Sequence, residues 1–445
     1  MRTDDRLLTA EISLMRGDAP SIQYAIEILS KAQQRIGQLS AAERLILARL
    51  YDKNVQWTEA VSTMNELLAE NPDNQNYIGV FVEMLLSHND SATALRWIPK
   101  LQENSPLRVR AEVTLDVLNQ RPDQALEKVR RLLGADPSEI PVAQNDLVRN
   151  VAVFLETLSG NDGAEMLGEY AERLMRFYAQ REPNQLLRLA AFLGRQKGLD
   201  KLEQAFAECE KTINQPGFAV THVTQIGVAT LRQHRAELQA SGNANDYYAR
   251  VEQWLEQARS RFPESKTLLI QQAEFEDLRG DRDKVVDLYR LYLSRPDLDE
   301  RQRAIVQNNL AFYLAVYHGQ DSAKAQEAKD MVEKSIKVLG LTSDLLDTRG
   351  WTNVALGDYP GAVRDFQIAI VGGKSAVKFL HLAYGNFLDL NFLASQEALE
   401  DAQKLGLEMK DLSDHEQKIY REMLDQRQSR AIRPNSRRLP AHVDV

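Results

Sequence analysis

Cysteine is almost absent from this chain of 445 residues: Cys209 stands alone. One thiol excludes an intrachain disulfide framework and any cysteine-rich zinc site. Long apolar runs are missing as well. The longest, such as Val151 to Leu155, fall far short of the roughly 18 consecutive residues that a membrane span needs. Positive charge is outnumbered, 55 basic against 64 acidic residues, for a net charge of −9. A nucleic-acid binder presents a net positive face, so no nucleic acid is expected as partner. The seven histidines are His88, His222, His234, His318, His381, His415 and His442, and no two lie four apart. A helical zinc pair is therefore excluded, and no metal is expected.

Chemical motifs fail in the same way. Gly372-Gly373-Lys374-Ser375 resembles the end of a phosphate loop, but Ile368 stands where the motif needs its earlier glycine. It reads as a turn between repeats. Asn161-Asp162-Gly163 and Asp281-Arg282-Asp283 lack the ligand series of a calcium loop and read as turns and caps. No Gly-x-Ser-x-Gly elbow occurs. The acids Glu274, Glu276 and Asp277 are spread along one helix and are expected on a solvated face. No catalytic residue and no cofactor follow from these residues, and the chain is read as not an enzyme.

What is present is a 43% apolar composition, enough for a real core, and a repeat. Four segments carry a small residue, six residues, then glycine: Ala10 to Gly17, Ala191 to Gly198, Ala273 to Gly280 and Gly350 to Gly357. Aspartate follows three of them, at Asp18, Asp281 and Asp358. Gly-Asp after an apolar-periodic stretch stops one helix and starts the next. Ala25, Ala60, Ala94 and Ala125 are spaced by 35, 34 and 31; Ala328, Ala362 and Ala398 by 34 and 36. Pro72 and Pro106 are again 34 apart. Two helices per unit of about 34 residues is a recognised repeat signature.

On these residues the chain resembles the tetratricopeptide-repeat family, in a bacterial-type multi-repeat array. The best unit runs from Leu346 to Ala369, with Gly350, Trp351, Gly357-Asp358, Ala362, Phe366 and Ala369 at the family's positions. A second has Leu47, Ala48, Tyr51, Trp57, Ala60, Met64, Leu67 and Pro72; a third Ile78, Leu85, Ala94, Ile98, Leu101 and Pro106. The resemblance implies an all-α fold: an α-solenoid of about ten hairpins in a right-handed superhelix, the first helix of each lining a concave groove. The blocks expected are 5–140, an irregular 141–263 with longer helices, 264–410, a capping helix 411–429 and a basic disordered tail 430–445. The turn after His318 is expected to be lengthened. Trp57, Tyr51, Phe366, Met64 and Tyr289 are expected in the core, and Cys209 as a small buried hydrophobe.

A chaperone-tail clamp of the family is not supported, since Ile270, Glu274, Asp344 and Thr348 stand where its lysines, asparagine and arginine belong and only Asn309 matches. The asparagine ladder of the family's sugar transferases is not supported either, with Ile46, Val80 and Thr348 at its positions. The leading reading is a scaffold that holds another protein's peptide or helix in the groove. The other is the regulatory or assembly arm of a larger enzyme, or of a bacterial envelope or exopolysaccharide system. Candidate groove residues are Asn308, Asn309 and Phe312 on one first helix, with Asp347, Thr348 and Trp351 on the next. There the rings would anchor, the amides would meet a peptide backbone, and Trp351 would be partly exposed. The tail, with Arg427, Arg430, Arg433, Arg437 and Arg438, is either a solvated end or a contact for an acidic partner. The expected location is the cytoplasm, or the periplasm or envelope if a leader precedes this chain.

Overall fold

A computed structural model of the chain describes residues 3–16, 19–134, 140–141, 144–160, 163–182, 185–213, 220–409 and 412–431. The described residues form 24 α-helices and one short 3-10 turn, with no strand among them. Contacts divide the chain into two compact units, Met1–Gln271 and Gln272–Val445.

In the first unit, helices pair in chain order. The pairs are α1 (Thr3–Arg16) with α2 (Ala19–Ile36), α3 (Ala41–Lys53) with α4 (Trp57–Glu70), and α5 (Gln75–Ser87) with α6 (Ser91–Trp97). Next come α7 (Pro106–Leu118) with α8 (Pro122–Leu133), α9 (Asn145–Leu158) with α10 (Glu165–Arg181), and α11 (Leu186–Arg195) with α12 (Leu199–Ile213). Helix α13 (Val220–Gln233) packs on α15 (Ala244–Arg261), with the short α14 (Arg235–Ser241) between them. Helix α16 (Lys266–Arg279) carries the boundary between the units. The second unit continues with α17 (Arg282–Leu293), then α18 (Glu300–His318) with α19 (Ser322–Leu339), α20 (Ser343–Ala355) with α21 (Tyr359–Gly372), α22 (Ala376–Leu388) with α23 (Phe392–Lys404), and finally α24 (Asp414–Ala431).

The Gly-Asp punctuation has a local cause. Gly280 and Gly357 take φ of +85° and +76°, where a side chain is disfavoured. The aspartate that follows then accepts from the third amide of the new helix, Asp281 from Lys284 N at 3.1 Å and Asp358 from Gly361 N at 3.0 Å. The same turn recurs with Asn89-Asp90 and Leu390-Asn391, where the left-handed residue is not glycine. The Gly17-Asp18 example lies outside the described residues, as does the tail beyond 431. Ser375 caps α22 by accepting from Lys378 N, so Gly372 to Ser375 is an inter-repeat turn. One expectation is corrected. The turn after His318 spans only Gly319 to Asp321, as short as Leu356 to Asp358. The extra length lies in the helices, 19 residues in α18 and 18 in α19.

Small residues sit where helices cross. Ala48, Ala273, Ala311 and Ala362 are all fully buried. At Gly350 an added Cβ would fall 2.4 Å from Cε1 of Phe366, and at Gly385 it would fall 3.1 Å from Cδ2 of the same ring. Phe366 of α21 is therefore seated between two glycines, on α20 and on α22. Met64, Tyr289 and Cys209 are buried as expected, and burial pushes the Cys209 thiol up to about 12. Tyr51 and Trp57 are only half-buried, the latter stacked on His88 with ring centres 3.9 Å apart. The solvated reading of the 274–277 acids is also corrected: Glu276 is 2% exposed and paired with Lys284. Replacing Ala311 or Ala362 by leucine is expected to overpack a crossing and cost about 1–3 kcal/mol, read as a lower denaturation midpoint. The same change at Val371, 85% exposed, is expected to leave the midpoint in place.

Candidate functional site

The first helices α18, α20 and α22 carry the site. Each packs on its predecessor, α20 on α18 and α22 on α20. Asn308, Asn309 and Phe312 of α18 are half-buried, as is Asp347 of α20. Thr348 and Trp351 are buried, at 4% and 3% exposure. The expectation of a partly exposed Trp351 is thus overturned. Its ring is closed in by Phe366 at 5.8 Å, His381 at 5.0 Å, Tyr384 at 5.9 Å and His415 at 5.4 Å, measured between centres. What links the two predicted groups is a chain of rings: Phe312 to Tyr313 at 5.7 Å, Tyr313 to Tyr317 at 5.6 Å, Tyr317 to His415 at 5.7 Å, then Trp351.

A charged ladder lies beside the rings. His381 of α22 donates from Nδ1 to Asp347 at 2.9 Å and from Nε2 to Glu416 of α24 at 3.2 Å. Burial opposes a charge on the ring, but the two carboxylates outweigh it and hold the His381 pKa up at about 10. Burial likewise opposes ionised Glu416, yet His381 and the Ser413 bonds bring it down to about 2. The imidazolium form has no acceptor, so Trp351 Nε1, 3.4 Å from Nδ1, packs there without a hydrogen bond. Glu416 also closes the start of α24. It accepts from Ser413 N at 2.7 Å while Ser413 Oγ accepts from Glu416 N at 3.3 Å, a reciprocal capping box.

At the other end, Arg282 pairs with Asp277, lies 4.8 Å from the centre of the Tyr317 ring and comes within 3.9 Å of Asp414. Tyr313 is held neutral by burial and by Asp277. Between these groups opens a cavity of about 580 Å³. Tyr317, Trp351, Tyr359, Tyr384, Leu388 and His415 are among its lining residues. Burial lowers the His415 pKa and keeps the ring neutral. Its Nε2 is buried without a hydrogen-bond partner, and so is Asn308 Oδ1 of α18.

Both nitrogens of His381 are occupied by carboxylates, which leaves no lone pair for a metal. Among the described residues no group of three or more His, Cys, Asp or Glu is placed to hold one. No helix among them is long and apolar enough to cross a membrane. Sequence reasoning missed His381, Tyr384, His415, Glu416, Tyr317 and Arg282. A signal for the ladder existed: Asp347, His381 and Glu416 are spaced 34 and 35 apart, one repeat each.

No family model and no curated protein matches this chain. Similar solved structures do exist. One is the APC/C hetero-tetramer Cut9-Hcn1, at 16% identity and TM-score 0.32, covering 98% of this chain and 95% of that chain. Another is a tetratricopeptide repeat protein from Parabacteroides merdae, at 15% and 0.39, covering 66% and 97%. A third is yeast Tom70, at 12% and 0.35, covering 97% and 98%. The all-α repeat fold stands on this chain's own helix pairs.

The ladder sets a pH dependence. His381 has a raised pKa, so its stabilisation is complete below its ordinary 6.5 and is lost as pH rises through about 10. Glu416 has a lowered pKa, so its share is complete above 4.5 and is lost as pH falls through about 2. His381→Leu is expected to cost about 3–5 kcal/mol at pH 6, since two buried carboxylates lose their cation. Urea denaturation at pH 6 and pH 10 checks this: the wild type is expected to lose stability across that span, and the variant much less.

Proposed function

We propose that this chain is a protein-binding scaffold and that the row of first helices in its second unit receives a peptide or helix from another protein. The observation that carries the reading is the aromatic cavity walled by Tyr317, Trp351, Tyr359 and Tyr384, on the same row of first helices as Asn308, whose Oδ1 is buried without a partner. A buried polar atom without a hydrogen bond costs free energy, and a bound peptide relieves that cost by bringing its own donors and acceptors. Aromatic walls supply anchoring area at small entropy loss. On this reading Asn308, Asn309, Phe312 and Asp347 form the accessible wall of a concave groove. Thr348 and Trp351 shape it from beneath.

The division between wall and support is testable in one comparison. Asn309→Ala with Phe312→Ala is expected to lose the bound partner in a pull-down read by mass spectrometry, while helicity stays unchanged and the melting point shifts little. Trp351→Ala is expected to remove about 3–5 kcal/mol of stability, because it empties a closed core position. Proteins retained equally by the wild type and the Asn309/Phe312 double variant would show that the groove lies elsewhere.

A further inference from the structure

A further regular repeat would set α24 against the hairpin before it, as α20 lies on α18 and α19, and α22 on α20 and α21. Helix α24 packs on α22 in the same way, and its first turn also reaches back along the row. Asp414 approaches Arg282 of α17, His415 meets Tyr317 of α18 and Trp351 of α20, and Glu416 takes His381 of α22. Four successive layers of the unit are touched within three residues. Behind this turn, Leu412, Ile419, Tyr420 and Met423 are buried, and Tyr420 accepts from Gln403 of α23 at 3.1 Å. The helix thus has two recognition elements. One is an acidic first turn, ordered by the Ser413–Glu416 capping box, that meets two cations. The other is an apolar face.

We propose that α24 is a built-in ligand of this wall: Leu412 to Met423 occupies the surface that a partner's helix takes, and binding exchanges one helix for the other. The partner that fits is therefore a helix of the same chemistry. It opens with Ser or Thr followed three residues later by Glu, and continues with apolar residues on one face. The inference rests on the protein-binding reading of the wall and adds both its partner class and its regulation. Charge complementarity supports that occupant. With α24 displaced, the imidazolium of His381 and the guanidinium of Arg282 lose the acids Glu416 and Asp414. An incoming acidic helix start restores the pairing, whereas a basic or capless segment does not.

The test uses the full chain and one probe, a fluorescent synthetic peptide of residues 412–431. In Ile419→Asp with Met423→Asp, two buried apolar residues of α24 become charged while Arg282, Tyr317, Trp351 and His381, the residues α24 rests on, all stay. That chain is expected to bind the peptide at least tenfold more tightly than the wild type does, by fluorescence anisotropy. A peptide carrying Glu416→Gln is expected to bind it about tenfold more weakly. Hydrogen exchange on the wild type gives a measurement that needs no variant. Amides of α24 are expected to exchange at least tenfold faster than those of α20 and α22, and faster still with excess peptide. Equal binding to both chains, or α24 amides that exchange no faster than those of α22 and ignore the peptide, would overturn the proposal. The peptide measurements involve no outside protein. Peptide binding without partner capture sinks only the scaffold reading, and capture at the wall without peptide binding sinks only this inference.

Discussion

The second unit depends on a side chain that is missing. At Gly350 there is no room for a Cβ and at Gly385 it would fit only tightly, because the ring of Phe366 fills the space between α20 and α22. That close approach brings two first helices near enough for residues one repeat apart to touch. Ala48, Ala273 and Ala311, the small residues at the same phase of other repeats, are fully buried, as is Ala362 of α21. Interiors pack to crystal-like density, so a methyl group added at such a point has nowhere to go. The hairpins are thus held together by shape at the crossings, and apolar burial along them supplies the driving force.

The wall is built from the same packing. Trp351 follows Gly350 on α20, so the residue beside the crossing rests on Phe366 and is closed over by α22 and α24. A buried histidine next to it could have been neutral. It is instead flanked by Asp347 and Glu416, which makes the charged form the stable one. Removing two acids and a cation from water is costly, and good geometry recovers most of that cost. What the arrangement adds is register: Asp347 meets His381 one repeat on, and His381 meets Glu416 one repeat further.

Around this ordered ladder the wall remains chemically incomplete. The neutral His415, in the lining of the aromatic cavity, buries a ring nitrogen without a partner, and Asn308 of α18 buries its Oδ1 in the same way. Native interiors satisfy nearly all such atoms. Such atoms are not confined to this wall, since Gln272 Oε1 on α16 is another.

Period, helix pairing and turn chemistry were legible in the amino-acid sequence, because each arises from residues within a few positions of one another. Gly280-Asp281 and Gly357-Asp358 stop and start helices through their own backbone angles and caps. Ala311, Gly350 and Ala362 were legible as crossings because the repeat returns a small residue at the same phase. The burial of Trp351 was not, since a ring on a first helix faces solvent or protein according to what the next helices bring. Here they bring His381, Tyr384 and His415 from positions 30 to 64 residues away. The pairing of Glu276 with Lys284, the carboxylates on His381 and the path of α24 back across four layers were likewise decided only by tertiary structure. Local sequence specifies hydrogen bonds along the backbone. The side chains that meet across a stack depend on the angle at which each hairpin packs on the last, and no single repeat encodes that angle.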